Sequence, residues 1–175
     1  LTNLLHRGAC GCEAATGDGA GILVQTPDRF LRKVTSPLGI TLPPEGSYGV
    51  GIVFLPHAAE TRDAVRGVVE AVIREEGQRL LGWRPLPTND FLVGASARAS
   101  EPVFEQVFIG SGAPVDVSDA QARLCFERKL YVIRKRAEHA VDDLAAADAR
   151  AKAFYIPSLS ARTLIYKGML IADQI

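Results

Sequence analysis

Between His6 and Gln25 lie one imidazole, one guanidinium, two thiols and two carboxylates, threaded on five glycines (Gly8, Gly11, Gly17, Gly19 and Gly21) within fourteen residues. Glycine at that density permits backbone angles and close approaches that a Cβ forbids, so the stretch is poor material for a core and good material for a site. Arg7 is suited to hold a carboxylate or a developing oxyanion, and Gly8 lets the backbone pass close to reacting atoms. The competing reading of Arg7 is a loop ion pair with Glu13 or Asp18. Asp18 suits a loop anchor that accepts hydrogen bonds from nearby backbone N–H groups.

Cys10 and Cys12, with His6 nearby, raise two further possibilities: a thiol nucleophile or a metal clamp. A closed tetrahedral metal site needs another pair of ligands, and the sequence offers only Cys125 and two scattered histidines. No metal is expected, and buried structural thiols are the favoured reading. The run Gly17-Asp18-Gly19-Ala20-Gly21 resembles a phosphate cradle only superficially. A dinucleotide fingerprint follows a strand and opens a helix, whereas this run precedes a strand.

The elements that must position these residues can be read in turn. Residues 1–6 end a helix, Arg7 to Gly19 form the loop, and Ala20 to Thr26 a strand. A short helix follows from Pro27, a residue suited to the first helical turn. Pro37 to Gly46 is a turn-rich connection around Pro43-Pro44. Tyr48 to Leu55 is apolar on successive positions, the pattern of a strand covered on both faces. Residues 59 to 78 place Val65, Val68, Val69, Val72 and Ile73 on one helical stripe, with Gly77 as terminator. Leu80 to Leu86 and Val103 to Gly110 are predicted strands. A second long helix is predicted from an N-cap at Ser118, with Phe126, Leu130, Ile133 and Ala137 facing inward. Residues 139 to 152 fit either a helical extension or a mobile connector. Phe154 to Leu159 and Arg162 to Lys167 read as a hairpin turning at Ser160-Ala161. Periodicity alone leaves the class at α/β or α+β.

His6-Arg7-Gly8-Ala9 and Thr16-Gly17-Asp18-Gly19-Ala20-Gly21-Ile22-Leu23 resemble the start of the class II glutamine amidotransferase domain of the glutamate synthase large subunit, an N-terminal-nucleophile hydrolase. Tyr48 to Pro56, Leu81-Gly82-Trp83-Arg84, Phe126 to Lys135 and Ser158 to Leu170 are similar to later family segments, in the same order. The resemblance implies an α+β fold, the four-layer αββα sandwich, here incomplete at both ends. It implies that residues 1–175 are part of one amidotransferase domain, without its nucleophile strand and its downstream oxyanion and substrate segment. No catalytic residue is then expected in this chain, because the family's nucleophile is an N-terminal cysteine and residue 1 is Leu1. Arg7, Gly8, Asp18 and Gly19 are the expected substrate-pocket residues. Ser160 and Arg162 belong to a motif found near the family's pocket, with no role assigned.

The same resemblance implies L-glutamine as substrate and a synthase domain of the parent chain as partner, with a possible small subunit. FMN and an iron–sulfur cluster are implied for the parent, and no cofactor for the fragment. Alternatives from other classes are a non-catalytic amidotransferase-like interaction module and an unrelated hydrolase using Cys10.

Composition limits the field further. The 175 residues suit one domain, and 47% hydrophobic content suits a folded globule. Twenty basic and twenty acidic side chains cancel, so no net field recruits nucleic acid or an anionic membrane. The basic run from Arg128 to Arg136 alternates with Glu127 and Glu138 and reads as a solvated helix face rather than a nucleic-acid stripe. Apolar runs fall far short of the roughly 20 residues that span a bilayer. Three cysteines make no even disulfide set, so a reduced, cytoplasmic setting is expected.

Overall fold

In the computed structural model, which describes residues 20–91 and 93–168, the strand with apolar residues on both sides is central. That strand, β2 (Tyr48–Leu55), is buried at every position but Phe54. It pairs antiparallel with β4 (Val103–Gly110) along its whole length. On the far side of β4 lies β3 (Arg79–Pro85), and the free side of β2 takes the two-residue β5 (Leu159–Ser160). A second sheet among the described residues pairs β1 (Ala20–Gln25) with β6 (Thr163–Gly168).

Strand alternation sends successive side chains of β2 and β4 to opposite faces. Val53, Leu55, Val107 and Ile109 face the helices α2 (Ala59–Glu75) and α4 (Ala120–Ala147), in one core with Val65, Val69, Ile73, Phe126, Leu130 and Ile133. Tyr48, Val50, Ile52 and Phe108 face the other way, packing with Leu164 of β6 and Leu31 of the short helix α1 (Asp28–Thr35). The order helices, four-stranded sheet, two-stranded sheet supplies three layers of the expected sandwich, and the class is α+β.

Local chemistry explains the element boundaries. Gly77 adopts φ +70° just past α2, the left-handed geometry that ends a helix at little cost when no Cβ is present. Pro27 sits at the N-cap of α1, one residue before the predicted first turn. The predicted N-cap of α4 is corrected from Ser118 to Asp119, whose carboxylate accepts from the backbone N–H groups of Gln121 (2.9 Å) and Ala122 (3.3 Å). Ser118 is diverted, its hydroxyl donating to Asp116 at 2.6 Å. Residues 139 to 152 are not a connector. α4 runs on to Ala147 with Val141 and Ala145 buried, and a 3-10 turn spans Ala149–Ala153.

The predicted hairpin at Ser160-Ala161 is also corrected. β5 pairs with β2 (Val50 with Ser160, Gly51 with Leu159), whereas β6 pairs with β1. The chain thus crosses from one sheet to the other at Ser160-Ala161-Arg162. Alternating apolar residues either side of a turn cannot distinguish a hairpin from such a crossover, because both bury the same faces.

Polar networks pin the periphery. Tyr48, almost wholly buried, donates its hydroxyl to Asp28 at 2.9 Å, and Arg32 donates Nε to the other Asp28 oxygen. The Arg32 hydrogen bond holds the Asp28 carboxyl below its ordinary range, while burial and then Asp28 push the Tyr48 phenol upward. The basic run on α4 is a paired surface, as expected. Lys129 and Arg136 converge on Glu76, and Lys135 meets Glu138.

Candidate functional site

Arg7, Gly8, Asp18 and Gly19 lie outside the described residues, as do His6, Cys10 and Cys12. What the structure describes is the frame that receives their loop. β1 begins at Ala20, opposite Gly168 at the end of β6, and the ladder runs through six pairs to Gln25 opposite Thr163. Gly21 is needed in this frame, since a Cβ there would sit 3.1 Å from the Tyr166 carbonyl oxygen. The first described residue, Ala20, therefore lies at the Gly168 end of the two-stranded sheet.

A cavity of about 270 Å³ opens at that same end, between the sheets. Its lining includes Ile52 of β2, Phe104 of β4, and Tyr166, Lys167 and Gly168 of β6, closed on one side by the connection between β3 and β4. That connection carries the short helix α3 (Ala95–Ala99) and is braced by Arg98, which pairs with Asp90 at 3.2 Å and donates to the Asp90 carbonyl at 2.7 Å. His57, after β2, hydrogen-bonds the Glu101 carbonyl and ties the connection to the central sheet. Lys167 is held toward Tyr155, with Nζ 3.4 Å from the hydroxyl and 5.4 Å from the ring centroid.

Apolar side chains dominate this lining, and Glu101 and Lys167 are the charged residues in it. Its polar side chains include Thr88, Asn89, Ser100 and Tyr166 beside those two charges, and no thiol or imidazole is among the described lining residues. Nor do the described residues contain a cluster of His, Cys, Asp or Glu able to hold a metal ion. Their one cysteine, Cys125, is exposed on α4, and an iron–sulfur cluster requires several thiolates.

One polar cluster has no signature in the sequence. Glu127, taken there as a surface acid, accepts from the Ser160 hydroxyl and, at 3.0 Å, from the Ala161 backbone N–H. The Ser160 oxygen in turn accepts from the N–H groups of Arg162 (3.0 Å) and Thr163 (3.2 Å). Both residues fall inside motif segments, yet their separation of 33 residues leaves no local sign of pairing. Trp83 packs against the helix-side core and donates Nε1 to Glu70 at 2.8 Å under the Arg66 guanidinium.

Comparison with known proteins agrees with this frame. The family profile described as glutamine amidotransferases class-II matches residues 1–175. The chain is 43% identical over 175 residues to the large chain of the NADPH glutamate synthase of Bacillus subtilis, and 41% identical over 176 residues to that of Azospirillum brasilense. It is 35% identical over 168 residues to the chloroplastic ferredoxin-dependent glutamate synthase 2 of Arabidopsis thaliana. The alignments cover 100%, 100% and 96% of this chain, but only 11%, 11% and 10% of those relatives.

Proposed function

The chain belongs to the class II glutamine amidotransferases, and on that premise we propose that it is part of the glutaminase domain of a glutamate synthase. In the intact parent, a cysteine outside these residues attacks the side-chain amide carbon of glutamine. The C–N bond of the resulting tetrahedral adduct breaks and ammonia leaves, giving a γ-glutamyl thioester. Water then cleaves the thioester, releasing glutamate and restoring the thiol. The ammonia passes to a synthase domain of the same parent, where it aminates 2-oxoglutarate. FMN and an iron–sulfur cluster serve that second domain, and a small subunit is a further possible partner.

Within this scheme the chain supplies position rather than the nucleophile. Arg7 and Gly8 form the wall beside the thiolate, and Asp18 and Gly19 shape the bend that leads into β1. Arg7 orients the substrate or the oxyanion as a fixed cation. The observation that carries the reading is the family match over residues 1–175. The cytoplasm is the proposed setting, where the thiols stay reduced.

The test is a glutaminase assay of the isolated chain beside the full-length parent. The expected result is ammonia release from glutamine by the parent alone. Thiol-dependent turnover by residues 1–175 alone would place a nucleophile within this chain, and an inert parent would favour a non-catalytic module.

A further inference from the structure

The N-terminal half of α4 carries an apolar face that nothing among the described residues covers. Leu124, Arg128 and Val132 recur at i, i+4 and i+8, with Cys125 and Tyr131 beside them, so these side chains share one face. Leu124, Tyr131 and Val132 are 41%, 58% and 37% exposed, and the Cys125 thiol is exposed with them. Further along the same helix the outer face is closed by charge. Arg134 and Lys135 reach Glu138, and Arg136 reaches Glu75 and Glu76. An open apolar patch on one half of a helix whose other half is laced with ion pairs marks a contact surface.

That face forms one wall of a groove of about 770 Å³. The opposite wall comes from Gly77 and Gln78, past the end of α2, and from residues 111 to 115, past the end of β4. This second wall is firmly built. Gln78 Oε1 accepts from the Gly112 N–H at 3.1 Å, and a Cβ on Gly112 would lie 1.7 Å from the Gly77 carbonyl oxygen.

Charge decides what fits. Among the described lining residues Arg128 and Lys129 are the cations and Glu76 is the acid. Glu76 is already taken, by Lys129 at 2.9 Å and by Arg136 at 2.6 Å. Asp116 and Asp119, in the turn before α4, are engaged by Ser118 and by the helix N-cap. Arg128 has no carboxylate partner among the described residues. An apolar groove edged by an unneutralised guanidinium selects a segment that brings apolar side chains and a carboxylate. The alignments cover only 11% of the two bacterial relatives. Most of such a polypeptide therefore lies elsewhere, tethered to the groove at high effective concentration.

We propose that this groove seats an acidic, apolar segment of the parent polypeptide from outside residues 1–175, with a carboxylate of that segment on Arg128. The proposal needs a parent longer than this chain and does not need its glutaminase activity, so the two readings fail separately.

The experiment is zero-length cross-linking of the full-length parent with a water-soluble carbodiimide, which joins a lysine amine to a carboxylate in contact with it. Arg128→Lys supplies the reporting amine and keeps the positive charge. Lys129 and Glu76, in contact here, give the internal control. The expected result is a peptide carrying position 128 joined to an Asp or Glu outside Leu1–Ile175, in a species with the mass of one polypeptide. In the unsubstituted parent, Cys125 should react with iodoacetamide about tenfold more slowly than in Arg128→Glu, whose charge repels the docked carboxylate. With the control link formed, a position 128 that couples to nothing, or only to acids within residues 1–175, overturns the proposal. A link to a second copy, seen at twice the mass, or to a separate subunit does the same. Equal Cys125 rates in a folded Arg128→Glu also overturn it, and Arg128→Ala takes its place if a thermal melt shows that variant unfolded.

Discussion

Several carboxyls are held toward the charged form by the residues beside them. Asp148 accepts from Thr61 Oγ1 at 2.6 Å and from Arg150 at the start of the last 3-10 turn, and these bonds, Arg150 first, depress its pKa. Asp28 is depressed chiefly by Arg32, and Glu76 by Lys129 and then Arg136. A carboxyl whose folded-state pKa is depressed stabilises the fold above its unfolded value, and that contribution is lost as pH falls through the folded one. Thermal melts are therefore expected to show a falling midpoint below about pH 4, with a shallower fall in Asp148→Asn. Equal slopes for both proteins would remove Asp148 from the account. Tyr48→Phe deletes the bond to Asp28 without changing packing and is expected to cost about 1 kcal/mol in denaturant unfolding; an unchanged midpoint would show that bond to be idle. Arg7→Ala in the parent is expected to lower glutamine-dependent turnover by about a hundredfold, comparable to removing an oxyanion donor. Activity with an ammonium salt should survive that change.

Strands and helices are constrained more tightly than their propensities suggest. Where β5 meets β2, a Cβ on Gly51 would lie 2.6 Å from the Ser158 carbonyl oxygen. Backbone cannot swing aside as a side chain can, so Gly51→Ala is expected to destabilise by about 1–3 kcal/mol. Denaturant midpoints read this directly, and a neutral result would mean that β5 does not dock as described. The stripe of α2 and the bilateral burial of β2 were legible because hydrophobic period reports which faces are covered. The crossover at Ser160-Ala161 was not legible. Its flanking residues alternate as a hairpin's do, and the partner strands, β1 and β2, lie over a hundred positions away. Asp119 displaced Ser118 as N-cap for a similar reason. Both residue types cap well, and only the turn at Asp116 decides which side chain is free to do so.

For the whole molecule, the layered frame was accessible mainly through family resemblance, since periodicity stopped at a mixture of helices and strands. The proposed pocket residues rest on glycine density and a lone arginine in the sequence, and they lie outside the described residues. The Glu127–Ser160 contact was not legible, because Glu127 looks like any surface acid until the helix is placed against the crossover. Helices, central sheet and two-stranded sheet together form the described scaffold, and the proposed reading, which rests on the family, assigns the chemistry to a thiol from elsewhere in the parent. Reacting the full-length parent with a diazoketone analogue of glutamine, then mapping the alkylated residue by mass spectrometry, tests that assignment most directly. The account predicts a single modified cysteine lying outside Leu1–Ile175, with labelling suppressed by glutamine. Modification of Cys10, Cys12 or Cys125 would contradict it.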